Sequence, residues 1–118
     1  GNYVLSGHGV DALDFMCGVH CDAQTDEFTV SEDSRGPYVL QLGNGDLDGG
    51  SRVHAAHIRI NGKEIAGVAK LNEQVGALTL PIPELHPGSN TISGTLVRAP
   101  GVRVGKLNYA ILDHPAQQ

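Results

Sequence analysis

Along most of the chain, apolar residues recur at every second position, and glycine-rich turns interrupt the runs. In PYVLQL, Tyr38, Leu40 and Leu42 alternate with Val39 and Gln41. In RVHAAHIRI, Ala56, Ile58 and Ile60 share one face of an extended strand, with His54 in the same phase; His57 and Arg59 take the other face. Asn61-Gly62 comes next, and an Asn-Gly pair between two such runs predicts a tight hairpin into Lys63, Glu64 and Ile65. ALTLPI reads as a strand closed by Pro81 and Pro83, HPGSN as a turn, and FTV at 28–30 as a short strand. TISGTLVRA and VRVGKLNYAIL also alternate, and Pro100-Gly101 between them predicts a second hairpin. Two stretches look helical instead. VDALDFM at 10–16 has Asp11 as a cap and Gly18 as a stop, and EIAGVAKLNEQVG has room for one turn between Gly67 and Gly76. About seven to nine short strands separated by turn signals predict an all-β antiparallel sandwich.

The stretch from residue 38 to about residue 112 also resembles a strand–turn–strand block of bacterial secreted and surface proteins. The resemblance rests on Asn44-Gly45-Asp46, Arg52-Val53, Ala56, Ile58 to Gly62, Asn90 to Ile92, and Pro100-Gly101. The family consists of immunoglobulin-like sandwich modules appended to larger extracellular proteins. It implies an immunoglobulin-like fold, a structural, adhesive or partner-recognition role, and no catalytic residues. It also implies a place outside the cell, at its surface or in the periplasm, beside the rest of a larger parent chain. Here His54 stands where the family usually has serine. The resemblance leaves out residues 1–37, expected as a loop-rich segment that packs on or leads into the sandwich of 38–118 within one compact domain.

Composition narrows the partners. The 118 residues include 8 basic and 13 acidic side chains, for a net charge of −5. A surface without a cationic surplus is poorly suited to nucleic acid or anionic membrane. No run of eighteen apolar residues predicts a membrane span, and the opening GNYVLSGHG lacks the basic and apolar regions of an export signal. A protein or a glycan at the cell surface fits better. With no Trp, three Tyr and two Phe, the chain has little for stacking sugar rings. Tyr38 and Tyr109 lie in expected strands and Phe28 is a core candidate, which leaves Tyr3 and Phe15 free to be displayed.

The candidate chemistry lies in two places. CGVHC holds the only two cysteines, Cys17 and Cys21. Its order fails the haem-attachment pattern and its spacing fails the Cys-x-x-Cys redox pair. A local disulfide in an exported protein is the simple reading. The alternative is a small zinc or copper protein in which Cys17 and Cys21 join His8 and His20 as ligands. The second place is NGDLDGG, where Asn44, Asp46 and Asp48 copy the start of a calcium loop. The bidentate Glu that should close such a loop is replaced by Ala55, which excludes a helix–loop–helix site. A polar hairpin turn is the simpler reading; a surface calcium site and calcium-dependent carbohydrate binding are the others. Asp46, Asp48 and Arg52 are the expected partner-binding residues. His54 and His57, three apart on a strand, should face opposite sides and share no metal. TDEFTVSEDS reads as a solvated loop or edge strand, and no nucleophile elbow, zincin helix or phosphate loop occurs.

Overall fold

The computed structural model describes residues 13–18, 21–32, 36–46 and 48–112. Among the described residues eight strands form: β1 Leu13–Cys17, β2 Gln24–Val30, β3 Tyr38–Asn44, β4 Val53–Ile60, β5 Lys63–Glu64, β6 Ala77–Ile82, β7 Gly88–Arg98 and β8 Gly105–Leu112. The one helical turn among the described residues is a 3-10 turn, Val68–Lys70, entered through Gly67. The strands make two four-stranded antiparallel sheets, ordered β1-β8-β3-β6 and β2-β7-β4-β5. The expected antiparallel sandwich is therefore what the chain forms. Its strand order is the doubly nested order of a jelly roll.

Leu13–Cys17 and Gln24–Val30 are part of this body, since they supply an edge strand to each sheet. The helix expected over 10–16 is replaced from residue 13 onward by β1; residues 10–12 lie outside the described part. The reason is tertiary. Paired with β8, β1 drives Phe15 fully into the core, where its ring stacks on Tyr109 at 4.9 Å. Phe15 is thus not a displayed aromatic. It fits because β7 carries Gly94 beneath it; a Cβ there would lie 2.7 Å from the Phe15 ring. The Tyr109 hydroxyl donates to Asp26 Oδ2 at 2.9 Å, joining β8 of one sheet to β2 of the other. Burial, and then the Asp26 carboxylate, push the phenol pKa above its usual value.

The alternation read from the sequence places the rest of the core. Leu40, Leu42, Leu80, Leu107 and Ile111 face Val53, Ala56, Ile58, Ile92 and Leu96 across the interlayer space, and Phe28 is buried with them. The Asn61-Gly62 turn is as expected: Ile60 pairs with Lys63, and φ is positive at both turn residues (52° and 83°), as a type I′ hairpin requires.

The other expected hairpins are not hairpins. Asn44 to Val53 leads from one sheet to the other, and so does the Pro100-Gly101 link between β7 and β8. Only β4–β5 returns within its own sheet. A turn dipeptide reports local backbone angles, and a crossover uses the same angles as a hairpin. Strand β6 also runs through Pro81, which a sheet edge tolerates because one side of the strand needs no ladder bond. FTV extends backwards into a seven-residue β2, the edge of its sheet.

A bulge in β4 produces one further change. Val53 pairs with Arg98 and Ala55 with Val97, so His54 is the extra residue. The slip turns Val53 into the core and His54 outward, against the phase read from the sequence. His54 and His57 consequently both face solvent, each beside a glutamate (His54–Glu73 2.7 Å, His57–Glu64 3.6 Å).

Two asparagines close the sandwich ends. Asn44, 2% exposed, accepts from Val53 N–H through Oδ1 at 2.8 Å, and its Nδ2 lies within 3.2 Å of the carbonyls of Val53, Asn72 and Val75. Asn90, 1% exposed, donates to the carbonyls of His86 and Gly88 and accepts from His86 N–H and Asn61 Nδ2. Asn44→Ala orphans a buried N–H and is expected to lower the unfolding free energy by about 2–3 kcal/mol, against less than about 0.5 kcal/mol for exposed Gln41→Ala, both read by urea denaturation.

Candidate functional site

Asn44, Asp46, Asp48 and Arg52 lie at the sandwich end where β3 stops and β4, β6 and β8 start. Asn44, the last residue of β3, is turned inward and its amide is spent on Val53, Asn72 and Val75. Beyond it the chain reverses: Asp46 N–H donates to Gly50 O at 2.7 Å, and Asp48 Oδ1 accepts from Gly50 N–H at 2.8 Å. Short side-chain acceptors favour such turns. Gly45 N–H donates to Lys106 O, and Lys106 N–H to Ser51 O, so the β3–β4 loop is tied to the start of β8.

Asp46 and Asp48 are exposed, and both reach the space over Gly50. Asp46 Oδ1 accepts from Lys106 Nζ at 2.8 Å. The hydrogen bonds from Lys106 and from the Ser51 side chain hold the Asp46 carboxyl below its usual pKa. Arg52 is half-buried. It donates to Glu73 O at 2.9 Å and lies against Gly76, where a Cβ would meet its Nη2 at 2.7 Å. Its Nε is buried with no hydrogen-bond partner among the described residues. Arg52 thus braces the β3–β4 loop against residues 72–76 instead of standing out from the surface. Glu73 is held below its usual pKa, first by its own backbone N–H and then by His54.

Beside this loop, the outer face of the β8-β3-β6 surface has a hollow of about 380 Å³. It exists because Gly43, Ala77 and Ala110 are small; Gln41, Thr79 and Asn108 surround it with uncharged hydrogen-bonding groups. Asn108 Nδ2 also donates to Gly45 O at 3.3 Å, so hollow and loop form one surface. At the opposite end a smaller cavity of about 290 Å³ opens over Ile60, Ile65 and Ile82, with His86 on its rim.

Cys17 ends β1 opposite Gly105, and Cys21 packs against the core just before β2. No free cysteine occurs among the described residues. His8, His20, His114 and Tyr3 lie outside them, and so does the Cys17 side chain. Among the described residues, no three His, Cys, Asp or Glu side chains converge as metal ligands. Lys106, Ser51, Glu73 and the hollow were not singled out in the sequence. Lys106 sits 60 positions from Asp46, and only strand pairing makes them neighbours.

The Asp46 and Glu73 pKa values fall on folding. Their stabilising contributions are therefore present above the unfolded pKa and are lost as pH drops through the folded one. A carboxyl-detected NMR titration is expected to place both below ordinary Asp and Glu midpoints. Lys106→Met should raise the Asp46 midpoint towards normal and leave Glu73 in place. No protein-family model matches this chain, and no curated protein matches it in sequence.

Proposed function

We propose that this chain is a non-catalytic recognition module of a larger exported protein. Its partner is a protein or a glycan at the cell surface. It binds at the loop end: Asp46 and Asp48 offer carboxylates at the rim, and the neighbouring hollow receives an uncharged part of the partner. The observation that carries this reading is the joining of loop and hollow into one braced surface by Asn44, Arg52 and the Asn108–Gly45 bond. A site whose loops are already held loses little ordering entropy on binding. The pair of carboxylates over Gly50 also gives calcium a place in the contact.

A glycan array and a surface-protein panel, each run with and without calcium, test the reading. Ala77→Tyr should fill the hollow from an exposed position and abolish capture with the melting temperature unchanged. Asp48→Asn should weaken capture at least several-fold. A ligand captured equally well by both variants would place recognition elsewhere, and hydrolysis of a captured ligand would make the module an enzyme.

The export reading extends to the cysteines. We read Cys17 and Cys21 as a disulfide, since no free cysteine occurs among the described residues. Such a short loop adds little stability through chain entropy; its role is to hold the β1–β2 connection. Intact mass measurement should find the chain lighter by two hydrogens than its reduced form. A fully reduced chain that gains mass with zinc or copper would instead assign Cys17 and Cys21 to a metal.

A further inference from the structure

We propose that the outer edge of β1 is a docking edge for an extended basic strand of a partner protein, held in the unbound molecule by the Gln24 carboxamide. Met16 lies opposite Lys106 in the β1–β8 register, yet its backbone groups are taken from the other side. Its N–H donates to Gln24 Oε1 at 3.1 Å, and its C=O accepts from Gln24 Nε2 at 2.6 Å. One carboxamide thus supplies the acceptor and the donor that a neighbouring strand would supply.

The comparison with the two asparagines shows why this pairing is exchangeable. Asn44 and Asn90 do the same for Val53 and His86 but are buried, so displacing them would strand polar groups away from water. The Gln24 pair is exposed. Freezing a long side chain there offsets part of its gain, and an incoming backbone replaces both bonds without leaving an orphan.

Exposed edges invite strand addition unless they are blocked. Among the described residues, the other three edges carry fixed blocks: β5 has only two residues, β6 contains Pro81, and β2 points Asp26 inward to Tyr109. Only the block on β1 can swing away. The side chain of Met16 is 50% exposed on the face beside this edge and offers an apolar contact. Asp22, which precedes β2, and Glu27 within it are exposed, and the chain as a whole carries a net charge of −5. Alternate basic and apolar side chains on the incoming strand match that surface, as backbone pairing with side-chain selectivity requires. A second copy of this chain brings the same acidic flank and is disfavoured. This edge is independent of the loop-end reading and stands or falls separately.

The probe is a short capped peptide of alternating Lys and Val, compared with its Glu/Val counterpart and with a version N-methylated at alternate amides. Gln24→Ala should bind the Lys/Val peptide roughly tenfold more tightly than the unsubstituted protein, because the internal competitor is gone. The Met16 amide should shift and exchange more slowly on binding, and the two control peptides should fail. Gln24→Met, which keeps length without hydrogen bonding, should give the same order and serves if the alanine variant does not fold. Equal affinity with and without Gln24, an unmoved Met16 amide, or equal binding of the Glu/Val peptide overturns the proposal. Self-association of Gln24→Ala without peptide overturns the choice of partner in favour of a second copy.

Discussion

A sandwich has two hydrogen-bonded layers and no hydrogen-bonded ladder between them. Wherever the chain passes from one layer to the other, backbone N–H and C=O groups leave their ladders near the core and need partners. The eight described strands are joined by seven connections, and six of them cross. Its recurring answer is a carboxamide side chain that pairs with both backbone groups of one residue: Asn44 with Val53, Asn90 with His86, Gln24 with Met16. A side-chain amide has the donor and acceptor of a peptide unit, so it can end a ladder where no strand follows. The two buried members sit at opposite ends of the sandwich, and the exposed member ties β2 to β1.

The core depends on these closures. Phe15 reaches its place over Gly94 only while β1 keeps its register with β8, and the Phe15–Tyr109 stack then carries the Tyr109 hydroxyl to Asp26. One aromatic pair and one hydrogen bond therefore link β1, β8, β7 and β2. The surface ion pairs have a smaller part. Asp46–Lys106 and His54–Glu73 are solvent-exposed, and such pairs contribute little to stability. Their effect is on shape, since they fix which way the loop carboxylates face.

The same economy bears on function. A loop end braced from within by Asn44 and Arg52 presents Asp46, Asp48 and the neighbouring hollow as one preset surface. An edge closed by a displaceable side chain presents a second surface of a different kind, read through backbone groups. The two would select different partners: one by side-chain chemistry at a concave surface, the other by extended conformation and charge.

Several features could be read from the residues alone. Alternation reports which side of a strand is buried, so the sandwich, the core faces of β3, β7 and β8, and the burial of Phe28 all followed from it. Asn61-Gly62 needs positive φ at two successive residues, which makes a type I′ turn a local property. What the residues left open was long-range. Whether Asp46 to Arg52 and Pro100-Gly101 turn back or cross over depends on the sheet that receives the next strand. One bulge in β4 reversed the phase of His54, and a stretch with helical spacing became β1 because β8 and Gly94 gave Phe15 a place. The sequence by itself determined the sandwich class, the buried faces of β3, β7 and β8 and the Asn61-Gly62 turn, because alternation and local backbone angles are properties of neighbouring residues. The tertiary structure alone decided which strands share a sheet, where Lys106 meets Asp46, and which carboxamides close the body, because pairing energy is realised only between segments far apart in the chain.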